Sequence, residues 1–246
     1  MKAIILSAGQ GRRLLPMTAE RPKCLLPVDG DQSMLSMQLG ALARCGIERA
    51  SVVVGFGAAA VEAQLAERPV PGLAVETLFN PFFASSDNLV SCWLARSLMH
   101  DDFLLLNGDT LFEDAVLERL LEAPPAPIAV TIDRKTAYDD DDMKVGLDAN
   151  GRLLAIGKDL PAPTVGAESI GLIAFRESGA KIFADELGRV IRAPAALRRW
   201  YLSVVNELAQ HNAVETVCIQ GLWWCEIDSP DDLARARADC EARSRA

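Results

Sequence analysis

Ile4-Ile5-Leu6-Ser7-Ala8-Gly9-Gln10-Gly11-Arg12-Arg13-Leu14-Leu15-Pro16-Met17-Thr18, closed by Arg21-Pro22-Lys23-Cys24-Leu25-Leu26-Pro27-Val28, decides the reading of this chain. An apolar run enters a loop with two glycines, and the loop then delivers arginines and a lysine within a few residues. Glycines let backbone N–H groups approach a polyphosphate closely, and the cations neutralise the charge that arrives with it. Leu14 stands where a dinucleotide G-x-G-x-x-G fingerprint needs its third glycine, and Pro16 and Pro22 prevent a helix from opening at once. No G-K-[ST] follows, so the loop is not a P-loop either. It reads as a nucleotide-handling loop with chemistry at the phosphates.

Working outward, apolar runs alternate with helical patterns. Strands are predicted over 2–7, 50–54, 74–79 and 103–107, with helices over 34–45, 61–67, 88–99 and 115–121. That order implies an α/β fold, a mixed but mostly parallel central sheet with helices on both faces. The second half breaks the alternation: extended runs over 128–133, 143–147, 153–156 and 169–175, helices over 182–190, 198–210 and 230–242, and strands over 215–219 and 224–227. Ala123-Pro124-Pro125-Ala126-Pro127 is too short to separate independent domains. The expectation is one domain over 1–246, with a nucleotide-binding half at about 1–122 and an acceptor-binding half at about 123–246. Ligands of open α/β sheets collect beyond the carboxyl ends of the strands. Gly9–Arg13 and Asn107–Asp109 both follow a predicted strand, so they should meet in one cleft.

Composition narrows the function classes. With 24% charged residues and a formal net charge of -9, the chain has no global basic field for nucleic acid. An anionic ligand must therefore be held by local cations and a bound metal. Met1-Lys2 precedes about half a dozen apolar residues, too few for a signal-peptide core, and no run reaches the roughly 18 apolar residues of a membrane span. The six cysteines form no C-x-x-C pair and His100 and His211 are the only histidines, which argues against zinc and for reduced thiols in the cytoplasm.

The loop, together with Thr18 and Leu26-Pro27-Val28, resembles the nucleotidyltransferases that join a nucleoside triphosphate to a sugar phosphate or phospho-alcohol and release pyrophosphate. The resemblance runs nearly the whole length, through Asn107-Gly108-Asp109 and the late segment Glu226-Ile227-Asp228-Ser229-Pro230-Asp231-Asp232-Leu233. It implies a Rossmann-like, GT-A-like fold and a divalent metal, Mg²⁺, on Asp109 and Asp228. It also implies triphosphate binding by Arg13 and Lys23, and further nucleotide contacts at Leu6, Ala8, Gly9 and Gly11. Arg12 stands where a small residue is commoner in that family. Each acid has a structural alternative: Asp109 as a turn residue after a strand, Asp228 as part of the helix start at Ser229-Pro230-Asp231-Asp232. An incoming phosphate oxygen is already a nucleophile, so the scarcity of histidine fits.

Three further segments resemble the branch that transfers CMP to phosphocholine or 2-aminoethylphosphonate. They are Ser85-Ser86-Asp87-Asn88-Leu89-Val90-Ser91, Asp141-Asp142-Met143-Lys144-Val145 and Glu168-Ser169-Ile170-Gly171. The resemblance implies Ser86 and Asn88 near the nucleotide and Lys158 as a catalytic lysine on the acceptor phosphate, with Lys144 a second cation near it. Asp139 and Asp140 read as a solvated acidic loop. Glu168 could pair with an acceptor amine, and Tyr201 or Trp224, among Trp200, Tyr201, Trp223 and Trp224, could give it an aromatic face. The implied partners are CTP and a small phosphorylated or phosphonate acceptor, with no nucleic acid or membrane, in a monomer or homodimer. A sugar-1-phosphate nucleotidyltransferase using UTP, dTTP or GTP stays open, as do an inactive nucleotide-binding regulatory module and, more remotely, a dinucleotide dehydrogenase.

Overall fold

A computed structural model, describing residues 1–211 and 214–245, buries Lys2–Ser7 (β1) along its whole length inside a nine-stranded sheet. The chain continues through a small hairpin, β2 (Pro27–Asp29) and β3 (Gln32–Ser33), then α1 (Met34–Arg44), β4 (Arg49–Val54), α2 (Ala58–Glu67), β5 (Ala74–Phe79) and α3 (Asn88–Leu94). Next come β6 (Phe103–Asn107), β7 (Thr110–Phe112), α4 (Asp114–Glu122), β8 (Ile128–Asp133), β9 (Lys144–Leu147), β10 (Leu153–Gly157) and β11 (Ala167–Phe175). The last elements are α5 (Ser178–Val190), α6 (Leu202–Ala209), β12 (Glu215–Cys218), β13 (Trp224–Glu226) and α7 (Pro230–Ser244).

Strands β6, β1, β4 and β5 pair in parallel. Strand β11 runs against β6, β8 and β9, β12 is parallel to β8, and β10 is antiparallel to β9. Within this sheet all strands except β10 and β11 therefore point the same way, as the alternation of elements predicts. Both halves of the chain contribute to this one sheet.

Side chains of a strand alternate between faces, and here both faces are apolar. Ile4, Leu6, Phe103 and Leu105 face one core, capped by Leu89 of α3, Phe183 and Leu187 of α5, and Val204 and Val205 of α6. Ala3, Ile5, Leu104 and Leu106 face the other, covered by Leu35, Leu39 and Leu42 of α1, Val61 of α2, and Leu117 and Leu120 of α4. A fully buried Leu, Ile or Phe contributes about 1.5–3 kcal/mol, so these two layers carry most of the stability. Among the described residues no helix is long and apolar enough to cross a membrane.

A third, smaller core sets the site. Leu14 and Leu26 from the first loop, Met34, Leu111, Ile227, and Leu233 and Ala236 of α7 pack together. It ties the glycine loop to the late acidic segment by apolar contact, beside the ion pairs that Arg13 and Lys23 make with Asp228. Two predicted helices are shorter than their patterns. The 88–99 helix tightens to a 3₁₀ turn at Ala95–Leu98, and α6 begins only at Leu202, after a 3₁₀ turn at Pro194–Arg198.

Candidate active site

The loop after β1 does not open into a helix; Arg12–Leu14 and Lys23–Leu25 are single 3₁₀ turns, as the prolines require. Gly11 has φ 72°, and a Cβ there would lie 2.9 Å from Lys23 Cβ, so glycine alone gives the lysine its path beneath the loop. Thr18 Oγ1 donates to the Gly11 carbonyl at 2.8 Å and holds the turn closed. Gly9 is exposed, with nothing near its Cα hydrogens. Leu6 and Ala8 are buried; the Ala8 carbonyl accepts from the Phe56 N–H at 3.0 Å, and the Leu6 carbonyl from the Gly108 N–H at 3.0 Å.

That last bond brings in the second segment. A Cβ at Gly108 would lie 2.3 Å from Ser7 Oγ and 2.6 Å from the Leu6 carbonyl oxygen, so a side chain there would push β6 off β1. Asp109 follows. Strand β7 then pairs antiparallel with β13, Thr110 opposite Glu226, and the Ile227 N–H donates to the Asp109 carbonyl at 3.0 Å. Ile227 is buried in the third core, so its neighbours Glu226 and Asp228 both turn toward Asp109. The helix start at α7 does not use Asp228: Ser229 caps it, in a reciprocal capping box with Asp232.

Lys23 Nζ donates to Asp109 Oδ2 at 2.8 Å and to Asp228 Oδ1 at 2.6 Å. Burial works against the ammonium's charge, yet the two carboxylates outweigh it and hold the Lys23 pKa above its ordinary value. One oxygen each of Asp109, Glu226 and Asp228 lie within 4.8 Å of one another, and Asp109 Oδ1 is buried with no hydrogen-bond partner. Loss of hydration, then the charges of Asp109 and Asp228, raise the Glu226 pKa while Lys23 opposes. An all-carboxylate set with an unspent buried oxygen fits a hard divalent cation.

The cations line up beside these acids. Arg13 Nη2 pairs with Asp228 Oδ2 at 2.6 Å, and its Nη1 with Asp141 Oδ2 at 3.1 Å. Lys158 Nζ lies 3.1 Å from Asp141 Oδ1 and 5.2 Å from the centre of the exposed Trp200 ring. Lys144 is buried and donates to the Lys158 carbonyl at 2.8 Å. That bond holds the backbone of Lys158 and uses one of the three ammonium donors. Glu168 is also buried, with Lys135 Nζ 2.9 Å from Oε2, and Lys135 also pairs with Asp142 at 2.7 Å. Burial, opposed by Lys135 and reinforced by Asp142, pushes the Glu168 carboxyl up to about 7.

On the other flank, Ser86 lines a cleft of about 270 Å³ with Gln10, Arg12, Phe83 and Arg198. Arg12 and Arg13 thus diverge, one toward this cleft and one toward the acids. Asn88 Oδ1 accepts from the Tyr201 N–H at 3.0 Å, and the Tyr201 hydroxyl donates to Asn107 Oδ1 at 3.0 Å. Tyr201 is 0% exposed, so its ring has no face to give an acceptor. The Trp200-Tyr201 pair straddles the surface, and the exposed member is Trp200. Trp224 donates from Nε1 to Asp133 Oδ2 at 2.9 Å and packs half-buried against the α1–α4 core. Tyr201 is thus enclosed, while Trp224 stays partly exposed.

Sequence reasoning grouped Asp109 with Asp228 and missed Glu226. The signal was present: alternation along Glu226-Ile227-Asp228 puts both acids on the face opposite a buried isoleucine. It also left Asp141 without a role.

Residues 2–138 match the nucleotidyl transferase family. A CMP-5'-(3-aminopropyl)phosphonate synthase of Streptomyces rubellomurinus is 32% identical over 96% of this chain, which spans only 38% of that protein's length. A 2-aminoethylphosphonate cytidylyltransferase of Lancefieldella rimae is 25% identical over 94% of this chain and 90% of its own. Among solved structures, the CTP:phosphocholine cytidylyltransferase of Streptococcus pneumoniae superposes with a TM-score of 0.77 at 18% identity, over 97% of this chain and 98% of that one, which shows a shared fold. With a loop of the right chemistry, acids that converge across the sheet edge and a family match over more than half its length, the chain belongs to the nucleotidyl transferase family.

Proposed function

We propose that this protein transfers CMP from CTP to a small phosphorylated or phosphonate acceptor and releases pyrophosphate. The observation that carries the reading is the meeting of Asp109, Glu226 and Asp228 beside Arg13 and Lys23, with Lys158 across the same cleft. The relatives named above act on aminoalkyl phosphonates, which supports the acceptor class.

In this reading the exposed turn at Gly9–Gly11 offers backbone N–H groups to the triphosphate, and Arg13 neutralises charge on it. Gln10, Arg12 and Ser86 flank the cleft into which the nucleoside would extend. Lys158 holds the acceptor phosphate, and Lys144 positions Lys158 through its carbonyl. Asp109, Glu226 and Asp228 would hold Mg²⁺, which when bound supplies charge neutralisation at the phosphates. Lys23 occupies that place between the acids here and would swing to the triphosphate when the cation is present. The acceptor oxygen attacks the α-phosphorus in line, the bond to the β-phosphate oxygen breaks, and pyrophosphate leaves with that electron pair. No protein base is needed, because a phosphate or phosphonate oxygen is ionised at neutral pH. A cytoplasmic setting goes with six cysteines free of disulfides and with CTP as donor.

A pyrophosphate-release assay pairing CTP, UTP, dTTP and GTP with phosphocholine, phosphoethanolamine, 2-aminoethylphosphonate and hexose 1-phosphates tests this. CTP with one of the small acceptors is the expected productive pair. Turnover confined to a hexose 1-phosphate would overturn the acceptor class, and nucleotide binding without any pyrophosphate release would overturn the enzyme.

A further inference from the structure

Asp141 stands between the two cations that the proposed function gives to the two substrates. Its Oδ2 lies 3.1 Å from Arg13 Nη1 and its Oδ1 3.1 Å from Lys158 Nζ. The side chain is 72% exposed, and no other hydrogen bond or ion pair holds it among the described residues. The segment around it is anchored separately. Asp142 is held by Lys135 at 2.7 Å, and Asp139 Oδ1 accepts from the N–H groups of Asp141 at 2.8 Å and Asp142 at 3.1 Å. The backbone is thus fixed while one carboxylate projects between Arg13 and Lys158.

Lys158 first, then Arg13, hold the Asp141 carboxyl below its ordinary range, so it is ionised at neutral pH. A phosphate or phosphonate brings more charge and more acceptor oxygens than a carboxylate, so it displaces Asp141 from both cations. Displacement leaves Asp141 with an unbalanced charge beside Lys158 and the exposed face of Trp200, at the acceptor end. An acceptor that carries its own positive group balances that charge; one ending in a hydroxyl does not.

We propose that Asp141 selects for acceptors bearing a positive group: it is the counter-ion of Arg13 and Lys158 in the empty cleft and the partner of the acceptor's ammonium in the filled one. This rests on the cytidylyl-transfer reading, with the acceptor phosphate on Lys158. A cation near an exposed carboxylate and an indole face is worth about a five- to tenfold preference.

The test compares kcat/KM for 2-aminoethylphosphonate and 2-hydroxyethylphosphonate, acceptors of equal length, with CTP as donor, in the wild type, Asp141→Asn and Asp141→Glu. The wild type should favour the amine about five- to tenfold. Asp141→Asn should bring the ratio near one through the KM of the amine, and lower the KM for CTP because Arg13 loses one of its two internal counter-ions and keeps only Asp228. Asp141→Glu, which keeps the charge, should retain the preference. An unchanged ratio in Asp141→Asn, or a ratio in Asp141→Glu equal to that of Asp141→Asn, would overturn this inference alone. A wild type that uses neither of these, nor phosphocholine or phosphoethanolamine, would overturn the proposed function and this inference with it.

Discussion

The carboxylates of Asp109 and Asp228 close on a single ammonium, that of Lys23, at 2.8 and 2.6 Å. One follows β6 and the other follows β13, and the short β7–β13 ribbon is what makes them neighbours. Lys23 is the only counter-charge shared by both acids among the described residues, so it holds together a group of like charges that would otherwise repel.

Replacing Lys23 by Met should therefore destabilise the metal-free protein by about 1–3 kcal/mol, the cost of leaving partly buried carboxylates without a partner. Added Mg²⁺ should raise the melting temperature of Lys23→Met more than that of the wild type, because the ion then replaces a missing cation. Thermal melts with and without Mg²⁺ read this directly, and an equal rise in both proteins would contradict it.

Gly11→Ala tests the path of Lys23 beneath the loop. The substitution forces a side chain into φ 72° and against Lys23 Cβ, so about 1–2 kcal/mol of stability should go. Activity should fall with it, whereas Gly9→Ala, where a Cβ meets nothing within 4 Å, should leave stability within about 0.5 kcal/mol. Urea unfolding of the two variants separates them.

Tyr201→Phe removes a buried hydroxyl from Asn107 at 3.0 Å and should cost about 1–2 kcal/mol in urea unfolding. The acceptor KM should stay within about twofold, since the ring is enclosed. A much larger change in acceptor KM at unchanged stability would return Tyr201 to the acceptor site.

Much of this was legible in the chain itself. Strands β1, β6 and β8 run as their apolar patterns predict, because runs buried on both faces have sharp polar ends, and the partly exposed edge strand β5 also keeps its predicted bounds. The strand at 224–227 was visible as β13, but its three-residue partner β7 carries too little periodicity to be seen, and with it went the pairing that sets Glu226 beside Asp109. Lysines and aromatics were harder still. Lys144 and Lys158 look alike in sequence, and only the fold buries one against the other's carbonyl. In the same way nothing in Trp200-Tyr201 says which of the two faces the cleft.

The pH dependence of stability should carry the mark of Glu168. Its carboxyl is raised from 4.5 to about 7 by burial, so the folded protein binds the proton more tightly than the unfolded chain does. Between those two values folding takes up a proton, and stability contributed below pH 4.5 is lost as pH rises through about 7. The difference in unfolding free energy between the wild type and Glu168→Gln should change by about 1–3 kcal/mol from pH 5 to pH 8, with the wild type losing ground. A constant difference across that range would show that Glu168 titrates normally.

Manganese binding followed by electron paramagnetic resonance, in the presence of CTP, tests the three-acid cleft most directly. The wild type should bind one Mn²⁺ that Mg²⁺ displaces, while Asp109→Asn and Asp228→Asn should each weaken binding at least tenfold, and pyrophosphate release about 100-fold or more, with the fold intact. Manganese affinity and turnover unchanged in both variants would remove the metal from these residues.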